Sequence, residues 1–338
     1  MTKLLLLFPV VCYGLIIPRN AYESQHGEKL VPGHMRGAKE CFAIITKSAV
    51  ISARKDEGMN GKIKLFTDSA ADLPLIYRER YDIDVVPLSV IFDEEEFKDG
   101  VTLSAPEFWA KLETAKELPS TNQVNPNDFV EAFTPYIEQG YTILYVGLSS
   151  KLSGTLQSAV LAKELLDTEQ IRIFDSRSAS IGETLLLITA GEMLLSGHGL
   201  DEIWQQLEQE RRDSFAYFTI DSLTHLVKGG RLTKTQGIVG SMLSVKPILQ
   251  VTSEGTIEVA EKVRSTKKAL QTMVSKAKER NIDLSKKRVA IVHTWGAETV
   301  PELTELVKRE FAPREIVEGL IGPTIGTHAG PGGIALFF

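Results

Sequence analysis

His328 stands in GTHAGPG, residues 326–332, framed by glycines and placed between two apolar segments. Imidazole titrates near neutral pH, and a glycine-rich turn lets backbone and ring approach a ligand together. Four polar clusters stand where strands are expected to end: TDS (Thr67 to Ser69), PSTNQ (Pro119 to Gln123), SSKLSGT (Ser149 to Thr155) and DSRSAS (Asp175 to Ser180). Ligands of α/β sheets gather at the carboxyl ends of strands. Ser153 and Thr155 open a helix, so their hydroxyls and the free N–H groups of its first turn would receive an anion. Any one cluster is better explained as turn and cap residues; four together point to a site without specifying its ligand. In the second half, KGGRL carries Arg231 on a glycine turn, and EKVRSTKKA puts Arg264 at a strand end. Arg231, Arg264 and His328 together would suit a transient phosphate.

The standard catalytic constellations are missing. GLSSK has lysine where a nucleophile elbow needs its second glycine. GGRLTKT lacks the Walker A pattern, and no G-x-G-x-x-G opens a helix after a strand. A serine and a histidine are both present, so Ser153 and His328 as a hydrolytic or acyl-transfer pair stay open as an alternative. Among the other histidines, His225 reads as a packing residue, His293 as a satisfied core residue and His198 as an exposed helix terminator.

These residues need a frame. KIKLFT reads as a strand, DVVPLSVIF as a second strand with Pro87 favouring an edge or an end of pairing, and DEEEFKDG as a polar excursion or hairpin. Ser104 with Glu107 is a capping box ahead of one helix, and Asn125–Pro126 starts another that runs to Gly140. YTILYVGLS is a buried strand, followed by a helix for which Ser153 is the expected N-cap. IRIFDS is the next strand, and the apolar helix after it ends at Gly197 or Gly199. Strand–helix units of this length predict a mostly parallel sheet with flanking helices over 59–215. From 216 to 338, strands FAYFTI, KPILQVT, TIEVAEKVR, RVAIVHT, REIVEGL and GGIALFF alternate with helices near 233–243, 266–280 and 298–310. Only SEG separates KPILQVT from TIEVAEKV, which is hairpin spacing, so this half is a mixed or antiparallel α/β domain.

The chain has 338 residues, 43% hydrophobic and 24% charged, with a formal net charge of -6. That length favours two domains, and the charge gives no reason to expect a nucleic-acid partner. Cys12 and Cys41 are the two cysteines, and no metal-ligand spacing occurs, so neither disulfides nor a structural metal is expected. LLLLFPVVCYGLII is too short to span a bilayer comfortably, and the stretch after it is aperiodic. Every periodic signal begins at Met59. The expectation is therefore that Met59 is the natural start, that residues 1–58 are a non-native or disordered extension, and that the protein is cytoplasmic, with no integral membrane segment.

FTDSAADLP, PSTNQVNP, SSKLSGTLQSA, DSRSASIGE, LVKGGRLTKTQGIVGSMLSVKPIL and IGPTIGTHAGPGGIALFF, in this order, resemble the DegV family. The resemblance covers 59–338. It implies a two-domain α/β protein that binds a long-chain fatty acid between its domains and needs no cofactor. It further implies that a fatty-acid kinase phosphorylates the bound acid, and that the acyl-phosphate goes toward an acyltransferase of phospholipid synthesis. The carboxylate-holding residues implied are Thr121, Ser153 and His328, with Gly154, Thr155, Gly326 and Gly330 completing the pocket and Arg231 and Arg264 facing phosphate and kinase. One block departs from the family pattern: Ser120, Asn122 and Val124 replace a lysine, a serine and a proline, while Thr121 and Gln123 remain. Residues Gly237 to Leu249 are small and apolar enough to line or cover the tail.

Overall fold

The computed structural model describes residues 61–232, 245–295 and 298–338, with the backbone pairs at 11–12 and 15–16. The chain separates into two contact units, Met1–Asp56 and Glu57–Phe338. In the first, β1 (Val11–Cys12) pairs antiparallel with β2 (Leu15–Ile16). The expected nature of 1–58, the helix near 233–243 and most of the Gly237 to Leu249 stretch fall outside the described residues.

Among the described residues the second unit holds three sheets. Strands β3 (Ile63–Asp68), β4 (Ile83–Val86), β8 (Thr142–Gly147) and β9 (Ile171–Asp175) form a parallel sheet in the order β4-β3-β8-β9. The predicted parallel sheet is thus present, with one correction. DVVPLSVIF is not one strand: it breaks at Pro87 into β4 and β5 (Ser89–Phe92), which belong to different sheets. Proline has no N–H for a ladder and restricts the residue before it. Strand β5 then pairs antiparallel with β6 (Glu95–Lys98), the expected hairpin, and with β7 (Ser120–Asn122), where Val90 faces Thr121.

The third sheet is mixed, ordered β12-β11-β10-β15-β13-β14, from β10 (Ala216–Thr219), β11 (Lys246–Val251), β12 (Ile257–Val263), β13 (Arg288–His293), β14 (Glu315–Leu320) and β15 (Ile334–Phe337). Only the β13–β14 pairing is parallel. Strand β15 has the period-2 alternation of a sheet with two buried faces. Ile334 and Leu336 join a core with helices α8 (Thr266–Glu279) and α9 (Val300–Phe311), whereas Ala335 and Phe337 face the opposite core.

That opposite core is shared with the parallel sheet. Helix α5 (Ile181–Leu195) carries buried residues nearly all round, including Ile181, Leu185, Leu186, Leu187 and Ile188, because it touches both sheets. A helix with no polar stripe has no face to give to water. Other helices follow local signals. Before α2 (Ala105–Thr114), the Ser104 hydroxyl and the Glu107 carboxylate cap each other's backbone N–H. Helix α3 (Pro126–Glu138) starts at Asn125 and is followed by Gly140 at φ +77. Helices α1 (Leu75–Tyr81) and α6 (Leu200–Asp213) were not anticipated from the sequence.

Candidate functional site

Helix α4 (Thr155–Leu165) begins just after β8. Its N-cap is Gly154 rather than the expected Ser153, because Ser153 sits one residue too early to fill that position. The Ser153 hydroxyl still accepts the Thr155 N–H at 3.2 Å and lies 3.0 Å from the Thr155 hydroxyl. Thr155 Oγ1 accepts the Val124 N–H at 3.4 Å, and Gln123 Nε2 donates to Ser158 Oγ at 3.0 Å. The end of β7, which carries Thr121, is therefore fastened to the start of α4, beside Ser153. Gly154 permits this approach: a Cβ there would stand 2.0 Å from Gln123 Oε1.

His328 does not sit on a glycine turn. It lies in the last turn of a helix, α10 (Pro323–Ala329), and the turn follows it at Gly330 (φ +70) and Gly332 (φ +71). Gly326 is helical, which corrects its expected part in a tight turn. It allows close packing instead, since a Cβ would stand 2.6 Å from Phe108 and 2.9 Å from Trp109. Proline at the first helical position and a glycine after the last are the ordinary ends of a helix, and the punctuation after His328 hides the short helix before it.

The His328 Nε2 and the Thr121 hydroxyl are 2.8 Å apart. Nδ1 is buried without a hydrogen-bond partner and packs on Gly229. Burial, with Arg231 and His225 nearby, pushes the His328 pKa down to about 4, so the ring is neutral at pH 7. His225, expected to be a packing residue, lies on the short helix α7 (Thr224–Lys228) and supports α10. Its Nδ1 lies 2.9 Å from the Thr327 carbonyl, so Nδ1 carries the proton and donates. Arg231 donates from Nε to the Leu152 carbonyl (2.9 Å) and from a terminal nitrogen to the Gly229 carbonyl (2.6 Å).

Between the loops that follow the parallel strands and the inner face of the mixed sheet lies a cavity of about 100 Å³. Its walls are mostly apolar, with Leu148, Leu152, Phe218, Val251, Ala335 and Phe337 among them, and Thr121, Ser153, Arg231 and His328 also line it. A second hollow, with a mixed polar and apolar lining, includes Lys116, Lys228 and His225 against the single acid Glu117. Thr121, Arg231 and His328 line both. They form the partition between an apolar chamber and a cationic basin. Gly154, Thr155, Gly326 and Gly330 stand behind this wall rather than in it. Arg264 is exposed beyond the end of β12 and lines neither space.

The Ser153 hydroxyl is engaged with Thr155, and His328 Nε2 with Thr121. No acid stands behind Nδ1 to orient the ring. The nucleophile–base–orienter relay of a hydrolase is therefore not assembled. Among the described residues no cluster suits a metal ion, and no helix is long and apolar enough to cross a membrane.

A family model described as an uncharacterised protein of the DegV family matches residues 62–338. A DegV domain-containing protein of Clostridium perfringens is 37% identical over 283 residues, covering 82% of this chain and 97% of the relative. The chain belongs to the DegV family. A Thermotoga maritima DegV relative named a fatty acid-binding protein is 34% identical over 279 residues, covering 80% of this chain and 95% of that protein. A solved structure described as fatty acid binding of a DegV family protein from Thermus thermophilus superposes with a TM-score of 0.77 at 30% identity, covering 82% of this chain and 98% of that one.

Gly229 gives a local test of the DegV partition. Its φ of -71 suits any residue, but a Cβ would stand 2.3 Å from His328 Nδ1. Gly229→Ala is therefore expected to push the imidazole out of its place and raise its pKa from about 4 toward the ordinary 6.5. NMR titration of the ring measures this, and an unshifted titration would contradict the packing described.

Proposed function

We propose that this chain holds one long-chain fatty acid, its tail in the apolar chamber and its carboxylate at the partition, held there by Thr121 and His328 and from the chamber side by Ser153. In this reading a fatty-acid kinase reaches the head group from the basin side, Arg231 steadies the transferred phosphoryl group, and Arg264 contributes to the encounter from the exposed surface. The acyl-phosphate then passes to an acyltransferase of phospholipid synthesis in the cytoplasm. The halves 59–215 and 216–338 act as two domains that enclose the ligand, and no cofactor is required.

The observation that carries the reading is the set of side chains shared by an apolar chamber and a cationic basin. Burying an acyl tail is worth about 0.8 kcal/mol per methylene, so a long chain supplies on the order of 10 kcal/mol. The carboxylate cannot follow the tail into apolar surroundings unpaired, and it fits at the wall where hydroxyls and an imidazole meet. Neutral donors hold it without a permanent salt bridge, which leaves its oxygens free to attack phosphorus. The names borne by the Thermotoga and Thermus relatives support the same ligand class.

Native mass spectrometry of the purified full chain, followed by solvent extraction and lipid analysis, tests the reading. One fatty acid per chain is expected. A folded, empty protein that also fails to take up added oleate would overturn it. With a purified fatty-acid kinase and ATP, the loaded chain should yield an acyl-phosphate that hydroxylamine traps as a hydroxamate.

A further inference from the structure

Two acids outside the partition, Asp99 buried and Asp72 partly buried, touch the helix that carries His328. Helix α10 has no cap of its own, since its N-cap residue is Gly322 and no side chain bonds its first turn from within. Asp72 Oδ1 accepts the Gly322 N–H at 2.8 Å, and Asp99 Oδ2 accepts the Thr324 N–H at 3.1 Å. Pro323 between them has no N–H, so these two carboxyls meet the first two donors the helix offers. The approach is close: a Cβ at Gly322 would stand 2.8 Å from Asp72 Oδ1.

The two acids come from different sheets. Asp72 follows β3 of the parallel sheet, and its other oxygen accepts from the Ser180 hydroxyl. Asp99 follows β6 of the three-stranded sheet, where its own N–H is bonded to the Leu88 carbonyl. Thr121 lies on β7 of that same small sheet, with β5 between. Two strand spacings amount to about 10 Å, and a seven-residue helix is about 10 Å long. Helix α10 thus reaches from an acid at one edge of the sheet to a hydroxyl at the other. Trp109 adds a third hold, donating to the Ile321 carbonyl at 3.0 Å.

We propose that Asp99, assisted by Asp72, is a positioning residue for the head-group site, holding the start of α10 so that His328, one turn beyond Thr324, meets Thr121. The inference rests on the fatty-acid reading above. Burial is costly for both acids, pushing Asp72 up to about 8 and Asp99 up to about 6, with neighbouring acids adding to the rise. Carboxyls kept in such surroundings cluster at functional sites.

The test compares oleate with methyl oleate, which has the same tail and no carboxylate, on the full chain. Asp99→Ala is expected to weaken oleate roughly tenfold, the size of a lost helix cap, and to leave methyl oleate within about twofold. Asp99→Asn keeps an acceptor oxygen and should restore oleate. Gly322→Ala, which sets a methyl against Asp72, should show the same selective loss and serves where Asp99→Ala does not fold. Equal losses for both ligands, or no loss in either folded variant, would overturn the proposal. A wild-type chain that binds neither ligand would instead overturn the fatty-acid reading.

Discussion

Replacing His328 by alanine is expected to weaken long-chain fatty-acid binding about tenfold to a hundredfold while the chain stays folded. A hydrogen bond to a charged partner is worth about 1.5–3 kcal/mol, and His328 is one of three donors placed at the partition. The fold should tolerate the loss. The imidazole already holds a buried Nδ1 with no partner, so alanine removes a desolvated group along with a contact. Thr121 is only half-buried and can turn its hydroxyl to water. Calorimetric titration with oleate beside a thermal melt checks both halves of the expectation. Unchanged affinity would remove His328 from the head-group site.

The same variant should alter acid sensitivity, and the sign follows from the depressed pKa. In the folded, empty chain the ring titrates at about 4, against 6.5 when exposed. Its contribution to stability is therefore complete above about pH 6.5 and is lost as the pH falls from there toward 4. The upper bound is about 3.5 kcal/mol, since one pKa step corresponds to about 1.4 kcal/mol. His328→Ala should flatten the stability profile across that window. A bound carboxylate beside the ring favours the imidazolium, so the loaded chain should resist acid better than the empty one.

What sequence could and could not reveal divides along local and distant causes. The Ser104–Glu107 box, the Gly140 stop and the terminal strand β15 are written in neighbouring residues, and each appears as expected. Pro87 signalled an end of pairing, but that the chain there leaves one sheet for another depends on which strands lie nearby. Helix α10 was obscured because its helicity rests on contacts from elsewhere: Phe108 and Trp109 against Gly326, and Asp72 and Asp99 at its start. Asp72 reads locally as a turn residue, and its backbone is one, at φ +47, yet its carboxyl serves a helix 250 positions away. Thr121, Ser153, Arg231 and His328 were legible as separate polar clusters; the chamber they border is assembled from segments far apart in sequence. Arg264 shows the limit of reading clusters alone, since its strand end faces solvent.

Ala335→Phe is expected to shift preference from long to short acyl chains by more than a hundredfold. Ala335 lies on β15 between Phe218 and Val292, and its side chain borders the chamber beside Phe337. Enlarging a residue in a filled core costs about 1–3 kcal/mol through strain. Here the ring has empty space to enter, so the melting temperature should hold or rise. The tail then loses what the ring occupies. Each methylene excluded costs about 0.8 kcal/mol, and four of them come to about 3 kcal/mol, beyond a hundredfold in affinity. A calorimetric series from decanoate to stearate separates this from general damage. The longest chains should lose most and the shortest least, because only a tail that reaches the β15 wall meets the new ring. An even loss across the series would mean that the tail does not run along this face of the mixed sheet.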